Sequence, residues 1–174
     1  GKPSSYRSLS TLMGIKHEDT AKNYLSYLEK AYLFESSLRF DFSIRKQLSN
    51  LKKIYPADTS LTRHAGNLFS EERGRLLETI VFNELKRRGH DLFYWKNERG
   101  KEVDFVVCDG LKPKQLIQVT DVIENERQFK RETDSLLLAA EDLKVNDLLI
   151  LIHKADSFPL LEKIQVKSFI SWLS

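Results

Sequence analysis

A single cysteine, Cys108, is all the chain contains, which excludes an internal disulfide and any cysteine-rich zinc site. That usage fits a reducing compartment, and a cytoplasmic location is expected. Long apolar runs are missing as well. None approaches the roughly 18 to 20 residues that a membrane span needs, so no membrane insertion is expected. No internal repeat or low-complexity tract is present. The four histidines, His17, His64, His90 and His153, are scattered without metal-ligand spacing and read as surface or core residues. The opening "GKPSSY" carries neither a methionine nor a charged-then-apolar leader, and the chain is expected to be a piece cut from a longer protein.

What remains is ample for a fold. The 174 residues, 41% hydrophobic and 30% charged, suffice for one medium domain or two small ones with real cores. The net charge of +3 is unevenly placed. Residues 1–64 hold eleven Lys and Arg against six acids, and the remainder holds 17 basic against 19 acidic side chains. A basic half of this kind suits either contact with a polyanion or a solvated lysine-rich surface.

In the first segment, Leu9 and Leu12 predict a short helix stopped at Gly14. A second helix is expected from His17–Asp19, with acids in its first turn and Ala21, Tyr24, Leu25, Leu28 and Tyr32 as its buried stripe. "LFESSLRFDFS" alternates around Ser36 and Ser37 and predicts a short β-hairpin. Helix, glycine turn, helix and hairpin together predict a winged helix-turn-helix over residues 1–64. Lys16, His17, Lys22 and Asn23 would then be placed to meet DNA, while Glu18, Asp19 and Glu29 on the same helix suit protein docking instead. Ile54–Ala57 predicts a brief strand that Pro56 places at an edge or a strand end, and a domain boundary is expected around residues 60 to 70.

Residues 65–174 alternate their elements. "EERGRLLETIVFNELKRRGH" predicts a helix with a stop at Gly89. "DLFYWKN", "EVDFVVCDG" and "PKQLIQVTD" predict three strands, "NERQFKRETDSLLLAAEDL" a helix, "DLLILIHK" a buried strand, and "FPLLEKIQVKSFISWL" a final strand and helix. The fold class is therefore α/β, a mixed sheet flanked by helices.

Three residues in this half invite a chemical reading. Glu78 lies in a stripe with Val81, Phe82 and Leu85, and burying a carboxylate is costly unless a partner offsets it. A functional acid and a structural acid paired with an arginine both fit. Strand alternation sets Asp104 on the face opposite Phe105, and Gln118 on a face with Leu116 and Thr120. If the two strands are neighbours, Asp104 and Gln118 lie side by side, and a crossing helix brings Glu78 to them. Two carboxylates and a neutral oxygen suit Mg²⁺, which activates water against a phosphodiester.

On "TAKNYLSYLEKAYLF", "KKIYPADTSL", "GRLLETIVFNELKRRG", "YWKNERGKEVDFVV", "QLIQVTD" and "KRETDSLLLA", the sequence resembles the PD-(D/E)xK nuclease superfamily. More closely, it resembles the carboxy-terminal domain of unknown function that follows the ATPase module in a large family of prokaryotic AAA-type ATPases. The resemblance implies a winged helix followed by a restriction-endonuclease-like fold. ATP would belong to an amino-terminal domain, since this chain has no GxxxxGK[ST] loop. It also implies Glu78, Asp104 and Gln118 as catalytic and Mg²⁺- or Mn²⁺-binding positions, with Thr120 standing where the superfamily has lysine. A threonine supplies neither the charge nor the reach to steady a phosphate in the transition state. Lys101, Lys130 and Arg131 are candidates for a relocated cation, and Arg131 with Glu132 equally for a structural ion pair. The expectation is a DNA- or partner-engaging domain with a degenerate site. A Mg²⁺-dependent deoxyribonuclease and a protein-docking or oligomerisation module are the alternatives.

Overall fold

The structure is a computed structural model that describes residues 3–60, 70–123, 125–154 and 162–174. The boundary expected at residues 60–70 and the start of the final segment, 158–161, lie outside the described residues. Contacts cluster into two units, Gly1–Asn67 and Leu68–Ser174.

The first unit begins with helix α1 (Tyr6–Leu12), whose Ser5 and Ser8 side chains bond each other's backbone amides in a capping box. Gly14, at φ +66°, closes it: its amide and that of Ile15 donate back to Thr11 and Ser10. Helix α2 (Glu18–Lys30) follows with Glu18 and Asp19 in its first turn. Its buried stripe is narrower than the spacing predicts. Ala21 and Leu25 are buried, whereas Tyr24 and Tyr32 face solvent. The expected hairpin is replaced by strand β1 (Phe34–Arg39), which runs straight through Ser36 and Ser37 and pairs antiparallel with strand β2 (Lys52–Pro56). A short helix α3 (Ile44–Ser49) joins them. The reason is visible locally: no Gly, Asn or Pro offers turn chemistry at the two serines. Ser37 is buried opposite Lys53, and the Ser36 hydroxyl donates to Glu29 at 2.6 Å.

The second unit opens with helix α4 (Ser70–Arg87), stopped at Gly89 with φ +83°. Strands β3 (Asp91–Lys96), β4 (Glu102–Asp109), β5 (Lys112–Val122), β6 (Asp147–Lys154) and β7 (Gln165–Ser168) lie in that order. β3, β4 and β5 pair antiparallel, and β5, β6 and β7 pair parallel. The β4–β5 turn has Gly110 at φ +60°, a backbone that a tight hairpin demands and glycine supplies without strain. Helix α5 (Glu126–Leu143), capped by Asn125, makes the crossover from β5 to β6, and helix α6 (Phe169–Leu173) ends the chain. The α/β class with a mixed, helix-covered sheet is as expected.

The two long helices take opposite faces of this sheet. Phe82 of α4 meets Phe105 at 6.4 Å between ring centres, and Phe105 pairs across the ladder with Ile117. Gln118, one residue on, points the other way and is bonded by Glu132 of α5. Covered on both sides, β6 reads "LLILI", the continuous apolar run expected of a parallel inner strand. Among the described residues no helix is long and apolar enough to cross a membrane.

Candidate functional site

Where the sheet changes from antiparallel to parallel pairing, a cleft of about 710 Å³ opens, lined among others by Glu78, Asp104, Gln118, Thr120, Arg131 and Glu132. The three positions singled out in the sequence thus share one cavity. Glu78, Asp104 and Gln118 are each at least nine-tenths buried.

Their connections are specific. The Asp104 amide donates to Gln118 Oε1 at 3.2 Å, and the Val119 amide donates to Asp104 Oδ2 at 3.1 Å. The other end of the Gln118 amide, Nε2, donates to Glu132 Oε2 at 2.9 Å. Arg131 in turn donates to Glu132 Oε1 from Nη2 at 2.7 Å and from Nε at 3.2 Å. Glu132 is buried while the Arg131 side chain is two-thirds exposed, so the pair runs from the sheet out to the cleft mouth. Buried polar groups of this kind each need a partner, and Gln118 has one at both ends.

Gln118 holds the Asp104 amide and the Glu132 carboxylate, one oxygen of Asp104 holds the Val119 amide, and Thr120 turns its hydroxyl to the Val122 carbonyl at 3.3 Å. Among the described residues, no three His, Cys, Asp or Glu side chains gather in a way that could hold a metal ion. A Mg²⁺ site draws on several oxygens turned inward, and here Gln118 Oε1 and one oxygen of Asp104 are already engaged with main-chain amides.

The ion pair of Arg131 with Glu132 is the one the sequence offered. The role of Glu132 in holding Gln118 was missed, though its signal was the one used for Glu78: an acid at helical spacing from buried Leu136, Ala139 and Leu143. A second pair was also missed. Asp121, at the cleft, meets His153 Nδ1 at 2.9 Å and Arg73 Nε at 3.8 Å. Parallel pairing of β5 with β6 brings the two strand ends together, so His153 is not simply scattered. Lys101 lines the same cleft, whereas Lys130 stands outside it. Cys108 is buried, and burial first, then the nearby Asp91 charge, pushes its thiol up to about 12, which disfavours the thiolate.

In the first unit, Lys16, His17, Lys22 and Asn23 are all exposed, with His17 at the N-cap of α2. Glu18 and Asp19 are exposed beside them.

Residues 73–171, more than half of the chain, match the model of a family described as "Domain of unknown function (DUF4143)". Residues 1–72 match a second domain of unknown function, DUF8612. An uncharacterized protein of Methanocaldococcus jannaschii is 36% identical over 150 residues, covering 83% of this chain and 32% of the relative. An uncharacterized protein of Haemophilus influenzae is 32% identical over 125 residues, covering 72% of this chain and 30% of the relative. The chain therefore spans about a third of the length of these curated relatives. No solved structure matches it. On the match over its sheet-bearing half, the chain belongs to the DUF4143 family.

Proposed function

We propose that this chain is the carboxy-terminal part of an AAA-type ATPase, and that its second unit is a PD-(D/E)xK-like domain that engages DNA without cutting it. The mixed sheet with an acid-bearing helix and two acid-position strands supports the nuclease-like reading. The match takes in only about a third of each relative, which leaves room for a further module such as an ATPase. One observation carries the loss of cleavage: both ends of the Gln118 amide are bonded within the protein, where a catalytic site needs a free carboxylate. Thr120 adds no cation to offset charge on a phosphate. The test is incubation of supercoiled plasmid with the chain in Mg²⁺ or Mn²⁺. Intact plasmid is the expected result; nicking that disappears in Asp104→Asn would overturn the proposal.

A protein-docking role for the first unit is favoured by a separate observation. The exposed surface of α2 and its end presents Tyr24, Tyr27 and Tyr32, at 47%, 63% and 86% exposure, beside Glu18 and Asp19. Aromatic side chains of this kind anchor protein partners, and the acids repel phosphate. Lys16, His17, Lys22 and Asn23 would then rim a protein contact. Reversing Lys16 and Lys22 to Glu should leave DNA affinity nearly unchanged if so, and a large loss would restore α2 as the DNA-reading element.

A further inference from the structure

A second groove, of about 520 Å³, borders the first cleft and is lined by Lys101, Asn125, Arg127, Gln128, Lys130, Arg131 and Asp134. Lys101, Gln128 and Arg131 line both cavities, so the two are neighbours. Four cations and one acid line the groove, in a unit whose own balance is 17 basic to 19 acidic residues. Arg131 is paired with Glu132. Among the described residues, Lys101, Arg127 and Lys130 form no ion pair, and Arg127 and Lys130 are exposed. The amide of Gln128 is already capped by Asn125, so the side-chain cations, and not the helix end, carry the site.

We infer that this groove binds the phosphate backbone of duplex DNA. The inference rests on the reading of the second unit as a DNA-engaging domain, and names where the contact is made. Arg127, Lys130 and Arg131 stand at i, i+3 and i+4 on α5 and so share one face of the helix. Their Cα atoms span about 6 Å along the axis, while each DNA strand carries a phosphate about every 3.4 Å of duplex. Lys101, from the turn between β3 and β4, extends the row across the sheet end. Among the described residues no aromatic side chain lines the groove to offer the stacking platform by which proteins hold single strands. Lysine and arginine contacts of this kind position a duplex without reading its sequence.

The test is fluorescence anisotropy of a labelled mixed-sequence duplex with the whole chain, between about 50 and 200 mM salt. Arg127→Glu with Lys130→Glu should weaken binding by about tenfold or more and lower the slope of log affinity against log salt by about 2. Lys112→Glu with Lys167→Glu, an equal charge change at exposed positions outside the groove, should cost under about threefold. If charge reversal disturbs folding, as judged by circular dichroism, Arg127→Gln with Lys130→Gln gives the same readout with a smaller perturbation. Equal losses in groove and control variants would overturn the groove, as would an undiminished affinity in the groove variant. Absence of any binding at the lowest salt would remove the DNA reading as well, whereas plasmid nicking would remove only the proposal of lost cleavage.

Discussion

At the scale of single residues, Gln118 is the decisive side chain, because an amide can donate to one neighbour and accept from another where a carboxylate can only accept. Gln118→Glu would turn its donor end into an acceptor facing Glu132 at hydrogen-bond distance. We expect a loss of about 1–3 kcal/mol at neutral pH, measured by urea unfolding. An unchanged midpoint would mean that the amide is not the structural clamp described. Glu78 and Asp104 were legible in the sequence because acids inside apolar patterns stand out. Glu132 had the same signature and was read only as half of an ion pair. The Asp121 and His153 pair had no local signal, since it depends on how β5 and β6 align as parallel neighbours 32 residues apart.

At the scale of elements, four helices of the molecule end in the same way. An amide just past the end donates five residues back into the last turn, at Ile15 for α1, Leu33 for α2, His90 for α4 and Val145 for α5. The residue just before it is left-handed: Gly14, Tyr32, Gly89 and Lys144 respectively. The glycine stops were legible for α1 and α4. Tyr32 was not, because its spacing placed it on the buried face of α2 while its backbone at φ +56° turns the chain out of the helix. Left-handed backbone costs a side-chain-bearing residue about 1 kcal/mol or more. Tyr32→Gly should therefore raise the stability of the first unit by about 1 kcal/mol in thermal or chemical unfolding. Turn chemistry likewise explains the misread hairpin, since apolar–polar alternation alone cannot distinguish one straight strand from two short ones joined at Ser36 and Ser37.

At the scale of the whole molecule, the sheet order and the pairing of β5 with β6 come from contacts far apart in sequence, which local patterns do not report. One such link ties the end of α4 to the chain terminus. Glu84 accepts from Arg87 at 2.7 Å and from Arg88 at 2.6 Å, and Arg88 lies over the Trp172 ring and donates to the Trp172 carbonyl at 3.1 Å. The bonds from Arg87, then Arg88, hold the Glu84 carboxyl down at about 2, against an ordinary 4.5. A depressed folded-state value means that the stabilisation is complete above the unfolded value and is lost as pH falls through the folded one. Acid should loosen the terminal helix between pH about 4.5 and 2, and Glu84→Gln should flatten that part of the curve followed by Trp172 fluorescence. An identical acid profile in the variant would discount the link. The sheet also holds a lesson for any assay built on its central acid. The backbone ladder between β4 and β5 runs from Asp109–Lys112 to Phe105–Ile117, and one step further out the bonds of Asp104 and Gln118 to main-chain amides take its place. Asp104 is thus a stitch at an opening seam. Alanine there would slacken the seam whether or not the protein has any chemistry, while asparagine keeps the oxygen that holds Val119, so only the asparagine variant separates a lost reaction from a gaping sheet.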